Sequence, residues 1–220
     1  MVGGNIENSD EIKILIDPND KNSLIGFQIH MENDDKQVAE AIAELKARRL
    51  SNFLTIKSNM LVEYGKPSIS AVEDNTVTIF NTLPTTSISV SAGYDLNLND
   101  QTMRSTIDCD SQINQHLYYY HNGLKAFKER DFPIAIKEFF IIIENQNLSD
   151  IRKYRALRNA VSHEVLDEKN TISELNNLGI AIKKGDYLNT NDREIEAILE
   201  HEATNLMRIT KQFVETELKV

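Results

Sequence analysis

The stretch "SQINQHLYYYHNGLKAFKERD" at residues 111–131 decides the fold of the second half of this chain. Its apolar residues recur at steps of four, three, four and three, the spacing of a seam between packed helices. Asp131 then caps a second helix, which has Pro133 in its first turn. We therefore predict two consecutive helices of a bundle here. The predicted seam consists of Ile113, Leu117, Tyr120, Leu124 and Phe127.

The second helix runs through "FPIAIKEFFIIIENQ" at 132–146 and is apolar on nearly all sides, which is typical of the centre of a bundle. Each of the three helices that follow has its own start signal. These are Ser149 or Asp150 for the third helix, a capping box of Thr171 and Glu174 for the fourth, and Asn191 with Glu194 for the fifth. The fourth helix is predicted to end near Gly185. Residues 105–220 thus predict an all-α bundle of about five helices with short links.

The first half has a different pattern. A helix is predicted over 33–58, capped by Asn33 or Asp34. Its apolar stripe is Val38, Ile42, Leu45, Leu50, Phe53 and Leu54. Runs rich in Thr, Ser, Val and Ile predict strands around it, and the first two form a hairpin. These runs lie at 11–17, 24–31, 61–73, 75–81 and 85–96. The sequence as a whole predicts an α+β protein. Its parts are a β-rich N-terminal domain with one long helix at 1–104 and the all-α bundle at 105–220.

Composition limits the classes of function. The net charge is -10, from 24 basic and 34 acidic residues, which argues against capture of nucleic acid by a broad basic face and against DNA as a partner. Cys109 is the single cysteine, so an internal disulfide is impossible, a cysteine-based zinc site is not expected, and a reducing compartment is favoured. The start "MVGGNIENSDE" has no signal-peptide pattern, and "FFIII" at 139–143 is too short to span a bilayer. We expect a cytoplasmic protein without a membrane partner.

One stretch combines residue types that can carry out chemistry. "KYRALRNAVSHEVLDEKN" at 153–170 places Arg158, Asn159 and His163 at the predicted end of the third helix. At 100° per residue, Arg158 lies about 40° from the inward-facing Tyr154, on the flank of the buried face. A helix C-terminus also favours a positively charged imidazole.

The motif "RNAVSH" at 158–163, inside a C-terminal helical bundle, resembles the hallmark of the HEPN superfamily. That hallmark is an arginine, commonly followed by a polar residue, and then a histidine after four to six residues. The resemblance covers roughly residues 107–218. It implies a metal-independent endoribonuclease of a toxin-antitoxin or phage-defence system that works as a homodimer. Arg158, Asn159 and His163 are the implied catalytic residues. Other family members only bind nucleotides or proteins.

The chemistry of RNA cleavage suits these residue types. A base must take the proton of the 2′-hydroxyl, an acid must protonate the leaving 5′-oxygen, and a cation must stabilise the phosphorane. Histidine can act as base or acid near neutrality, and arginine offers a charged fork to phosphate oxygens. One histidine per chain supplies one proton-transfer group, so a two-fold dimer would supply the second. Because histidine and arginine supply the chemistry, the mechanism requires no metal ion, and we expect no metal and no cofactor.

Neighbouring residues admit two interpretations. Arg152, Lys153 and Arg155 could guide the RNA backbone or form a solvated helix face. Glu138, on the apolar second helix, could pair with an arginine of the third helix or mark a wet edge. His116 and His201 are predicted to be ordinary surface residues.

Two rival hypotheses remain open at this stage. In the first, the bundle is a non-catalytic module that dimerises and holds a nucleotide or a partner protein, as the net charge of -10 favours. In the second, the first half is the functional part and senses a ligand or docks an antitoxin protein, while the bundle acts as the effector.

Overall fold

A computed structural model describes the chain in eight ranges, which fall into two compact units, Met1–Asp110 and Ser111–Val220. The ranges are 12–17, 20–32, 36–64, 68–72, 76–82, 111–146, 148–166 and 170–218. Some predictions lie outside them. These are the strand run at 85–96, the cap at Asn33 or Asp34, the boundary between residues 104 and 105, and Cys109.

The backbone of the first unit contains four strands. They are β1 (Ile12–Asp17), β2 (Asp20–Glu32), β3 (Ser68–Val72) and β4 (Thr76–Thr82). They pair antiparallel in the order β1-β2-β4-β3. The register of β1 on β2 shifts between Leu15 and Asp17, at the end of β1.

Helix α1 (Lys36–Ser58) supplies the side-chain core that is described in this unit. Its buried face passes through Ala43, Ala47, Leu50 and Leu54, at steps of four, three and four. The predicted stripe is confirmed at Leu50, Phe53 and Leu54, but it is wrong at two positions in the first half of the helix, because Val38 and Leu45 are exposed.

The second half of α1 also buries polar side chains, which bond to the chain that returns along it. The Thr55 hydroxyl accepts a hydrogen bond from Val62 N at 3.0 Å. The Ser51 hydroxyl donates to Val62 O. The Ser58 hydroxyl accepts a hydrogen bond from Met60 N at 3.2 Å and donates within the helix to Leu54 O at 2.7 Å. These bonds satisfy polar groups that would otherwise be costly to bury.

The predicted α+β class, with a β-rich N-terminal domain, is wrong. Of the residues whose side chains are described, 71% are helical, and they form six helices and no strand. The strands β1 to β4 are described by their backbone pairing alone. Alternation of Thr, Ser, Val and Ile reports local strand propensity, whereas a domain also needs a buried face. The fold is mostly all-α.

The second unit contains five helices among its described residues. They are α2 (Ser111–Lys128), α3 (Phe132–Ile143), α4 (Ile151–Ala160), α5 (Thr171–Asn177) and α6 (Arg193–Glu217). Helix α3 packs against α2, α4 and α6, as its apolar composition predicts. Asp131 caps it as predicted, since its side chain accepts a hydrogen bond from Ile134 N at 3.2 Å.

The contact between α2 and α3 depends on close packing of aromatic rings. The predicted seam is confirmed at its centre, where Leu117, Tyr120 and Leu124 are buried. The rings of Tyr120 and Phe139 lie 5.5 Å apart. A Cβ atom at Gly123 would lie 2.6 Å from the Phe139 ring. The glycine therefore allows the two helices to approach, at a cost in helix propensity.

His116 departs from its predicted surface position. It is buried on α2, with its ring 5.7 Å from that of Phe213 on α6. Its Nδ1 lies 2.7 Å from Glu217 Oε2, so the pair ties the start of α2 to the end of α6. His201 is exposed, as predicted.

The fourth helix of the prediction is shorter than expected. Helix α5 ends at Asn177 rather than near Gly185, because Gly179 adopts a φ of +85° and reverses the chain. Its N-cap is Asn170 rather than the predicted Thr171, and the Asn170 side chain makes no capping hydrogen bond. The last helix is capped by Asp192, one residue after the predicted Asn191.

Candidate active site

Helix α4 carries the motif and has one buried and one exposed side. Tyr154 and Leu157 are buried where α4 packs against α3 and α5. Arg152, Arg155 and Arg158 follow each other at steps of three residues, and each step turns about 60° back around the helix axis. The three arginines therefore form a ridge that leads along α4 to its C-terminus. We call them the arginine ridge.

Hydrogen bonds hold the chain beyond α4 onto its last turn. Ser162 N and His163 N both donate to Asn159 O, at 3.0 and 3.2 Å. The Ser162 hydroxyl donates to Arg158 O at 2.7 Å. The main chain of His163 is thus fixed to Asn159, although the helix itself ends at Ala160.

The guanidinium of Arg158 is held by three groups. Its Nη2 donates to Glu144 Oε1 at 2.8 Å, and its Nη1 donates to Asn159 Oδ1 at 3.0 Å. The guanidinium carbon lies 5.3 Å from the centre of the Phe140 ring. The side chain is still 33% exposed. The charge is therefore held in one place, while part of its N–H edge can be reached by an anion.

The imidazole of His163 is exposed and has a defined tautomer. Its Nδ1 lies 2.7 Å from Glu164 O. A carbonyl oxygen accepts and cannot donate, so Nδ1 carries a proton in this contact. In the neutral ring, Nε2 then holds the lone pair. Among the described residues, no hydrogen bond occupies Nε2, and it can accept or return a proton.

Asn159 bonds to both of the other motif residues. Its side chain accepts from Arg158, and its carbonyl oxygen accepts from His163 N. Within the described residues no hydrogen bond joins the guanidinium of Arg158 to the imidazole of His163. All three motif residues thus lie at one end of α4. Glu144 and Asn159 orient the guanidinium of Arg158, and the carbonyl oxygen of Glu164 orients the imidazole of His163. One chain presents one imidazole at this end.

The three basic residues next to the motif, Arg152, Lys153 and Arg155, differ in their exposure and in their ion pairs. Arg152 and Arg155 are exposed on the arginine ridge and, in the part of the chain that the structure describes, make no ion pair. Lys153 points the other way, and its Nζ lies 3.0 Å from Oε2 of the buried Glu202 on α6. Burial alone would lower the pKa of Lys153, but Glu202 and the Tyr154 side chain outweigh it, so that pKa is raised. Lys153 therefore ties α4 to α6.

The acidic partner of Arg158 is a residue that the sequence did not single out. The sequence predicts that Glu138 could pair with an arginine of this helix, but the Glu138 carboxyl bonds to Asn122. Burial raises the pKa of the Glu138 carboxyl, and the Asn122 bond offsets part of that rise. Glu144, just past the end of α3, forms the pair instead. In the sequence, Glu144 appears only as a carboxylate near the start of the link to α4, and nothing there predicts its pairing with Arg158.

Comparisons with known proteins give no relative for this arrangement. No family model, no curated protein and no solved structure matches the chain. In the residues that the structure describes, no three His, Cys, Asp or Glu side chains are grouped as metal ligands. No described helix combines the length and the apolar character needed to cross a membrane.

Proposed function

We propose that this protein is a metal-independent endoribonuclease of the HEPN type that acts as a homodimer, as a toxin or phage-defence effector. The observation that carries the proposal is the joint role of Asn159, which holds the guanidinium of Arg158 with its side chain and the main chain of His163 with its carbonyl oxygen. A phosphate bound to Arg158 would then have an imidazole available from the same helix end.

The proposed reaction uses the nucleophile that RNA carries. Nε2 of one His163 takes the proton of the 2′-hydroxyl, and the 2′-oxygen forms a bond to phosphorus. Arg158 stabilises the negative charge of the phosphorane. A second imidazole donates its proton to the 5′-oxygen as the bond from phosphorus to that oxygen breaks. The products are a 2′,3′-cyclic phosphate and a free 5′-hydroxyl.

The second imidazole comes from a second copy of the chain in this proposal. An apolar stripe on the outer side of α3 supports a dimer, because Ile134 and Ile141 are exposed and Tyr118 is exposed on α2. Ile141 and Glu144 are three residues apart, so one end of this stripe adjoins the ion pair of Arg158. A second copy on the stripe would lie next to the candidate site.

One contact favours a second candidate function. Arg158 already has a carboxylate partner, Glu144 at 2.8 Å, which a phosphate must displace or share. A module that binds a nucleotide or a protein such as an antitoxin, without catalysis, fits that contact and the net charge of -10. Binding of RNA without cleavage would identify this alternative.

The proposal predicts that cleavage requires the 2′-hydroxyl of the RNA, and this requirement can be measured. We expect the purified full-length protein to cleave a single-stranded RNA oligonucleotide in EDTA, with products that end in a 2′,3′-cyclic phosphate. A matched oligonucleotide with 2′-O-methyl riboses should stay intact, because it lacks the proton and the nucleophile. Cleavage of both substrates at one rate, or cleavage that EDTA abolishes, would contradict the proposal.

A further inference from the structure

The chain that follows His163 is paired with a turn from a different part of the bundle. Val165 N donates to Asp186 O at 2.8 Å, and Gly185 N donates to Val165 O at 2.9 Å. Gly185 has a φ of +84°. Two residues, Gly185 and Asp186, thus face Val165. The first of them is a glycine in the left-handed region, and this arrangement is the geometry of a G1 β-bulge. The pairing is antiparallel.

The turn itself is closed by further hydrogen bonds. Asp186 N donates to Lys183 O at 3.1 Å, and Lys183 N donates to Asp186 Oδ2 at 2.9 Å. These bonds fix residues 183–186 before any ligand binds. Because the pairing is antiparallel, the step from Val165 back to Glu164 is matched by the step from Asp186 forward to Tyr187. Tyr187 follows the paired Asp186 directly, and His163 precedes the paired Val165 by two residues, so the pairing brings the two segments together.

Tyr187 is exposed to an unusual degree for an aromatic residue. Its exposure is 73%, the highest among the exposed large hydrophobic residues in the described part of the chain. Lys183 and Lys184 are exposed on the turn that precedes it, and the acid on that turn is Asp186. The Tyr187 ring directly follows the turn at residues 183–186 and contributes little to the core, so its face is accessible to a ligand.

We propose that Tyr187 stacks on a base of single-stranded RNA beside the scissile phosphate, while Lys183 and Lys184 contact the adjoining backbone. This inference rests on the proposed function and names its substrate class as unpaired RNA, whose bases are free to stack. Stacking on one aromatic residue contributes measurably for any base. The arginine ridge and the Lys183–Tyr187 turn then bind the strand on the two sides of His163.

Binding of an uncleavable strand tests this inference apart from catalysis. The probe is a fluorescent single-stranded oligonucleotide with 2′-O-methyl riboses, titrated with the full-length protein. We expect Tyr187→Leu to weaken binding about tenfold, whereas Tyr187→Phe, which keeps the ring, should bind within about twofold of the wild type. Lys128→Ala, at an exposed lysine near the end of α2, is the matched control for charge and should change binding less than Lys184→Ala.

The outcomes separate this inference from the proposed function. Equal binding by the wild type and Tyr187→Leu would overturn the stacking role, even if the wild type cleaves RNA. Loss of binding in Tyr187→Phe as large as in Tyr187→Leu would also overturn it, since the ring would not be the cause. Tyr187-dependent binding by a protein that cleaves no RNA would support the inference and contradict the nuclease proposal.

Discussion

Replacement of His163 by alanine is expected to lower the rate of RNA cleavage by roughly 10²- to 10⁴-fold, the usual contribution of a positioned acid or base. The imidazole is exposed, and its recorded hydrogen bond is the one from Nδ1 to Glu164 O. Its removal therefore creates no cavity and leaves no buried group without a partner. The melting temperature should stay within about 1 °C of the wild type, because surface substitutions of this kind have small effects.

A matched histidine on the same bundle provides the control for this prediction. His201 is exposed on α6, where its ring bonds to Asn205 at 3.1 Å. His201→Ala should cleave RNA at the rate of the wild type. Initial rates in EDTA, measured with substrate in excess, separate the two variants. Equal rates for His163→Ala and His201→Ala would exclude His163 from catalysis.

Replacement of Lys153 by methionine is expected to lower the free energy of unfolding by about 3 kcal/mol. The Lys153 side chain is 23% exposed, and that of Glu202 is 6% exposed. Loss of the ammonium group leaves the Glu202 carboxylate in the core of the bundle without its cation. Methionine keeps an unbranched apolar side chain at this position, but it also removes the ammonium from over the Tyr154 ring, where it lies 4.5 Å from the ring centre. The loss therefore reports mainly on charge.

Two further variants separate the buried charge from other effects of Lys153→Met. Lys153→Met combined with Glu202→Leu should recover most of the loss, because an apolar pair replaces an ion pair without leaving a buried charge. Lys128→Met, at an exposed lysine, should change stability by less than about 0.5 kcal/mol. Urea unfolding followed by circular dichroism measures all three. A double variant as unstable as Lys153→Met would show that packing, rather than the buried charge, causes the loss.

The parts of the bundle that sequence reasoning predicted are those that local rules decide. Leu117, Tyr120 and Leu124 share one face of α2 because of helical periodicity alone, and they are buried. Asp131 is followed by Pro133 and an apolar run, which is sufficient to specify an N-cap. Both features depend on residues within one or two turns of the chain.

The end of α5 was mispredicted because two glycines satisfy the same local rule. Gly179 and Gly185 both have positive φ, at +85° and +84°. Gly179 ends the helix, whereas Gly185 serves the pairing with Val165, a residue twenty positions earlier in the chain. Such a choice depends on tertiary contacts, which periodicity does not contain. The prediction of a β-rich domain was wrong for a related reason. Strand propensity at 11–31 and 61–81 is a local property of the chain and does not specify a core.

The residues of the candidate site could be predicted from the sequence, but the acidic residues that pair with them could not. The spacing of Arg158, Asn159 and His163 along the chain follows from the sequence. The roles of Glu144, which holds the guanidinium, and Glu202, which engages Lys153, depend on how α3, α4 and α6 pack. Lys153 and Arg152 look equivalent in the sequence, yet one faces the core and the other faces water.

The shared active centre is tested most directly by mixing the wild type with a chain that carries both Arg158→Ala and His163→Ala. The two chains are co-refolded so that subunits combine at random, with the amount of wild type held constant. At a roughly ninefold excess of the variant, paired active centres predict about a tenfold fall in RNA cleavage, because few wild-type chains find a wild-type partner. Cleavage that stays unchanged at every excess would show that each chain acts alone and would contradict the shared centre.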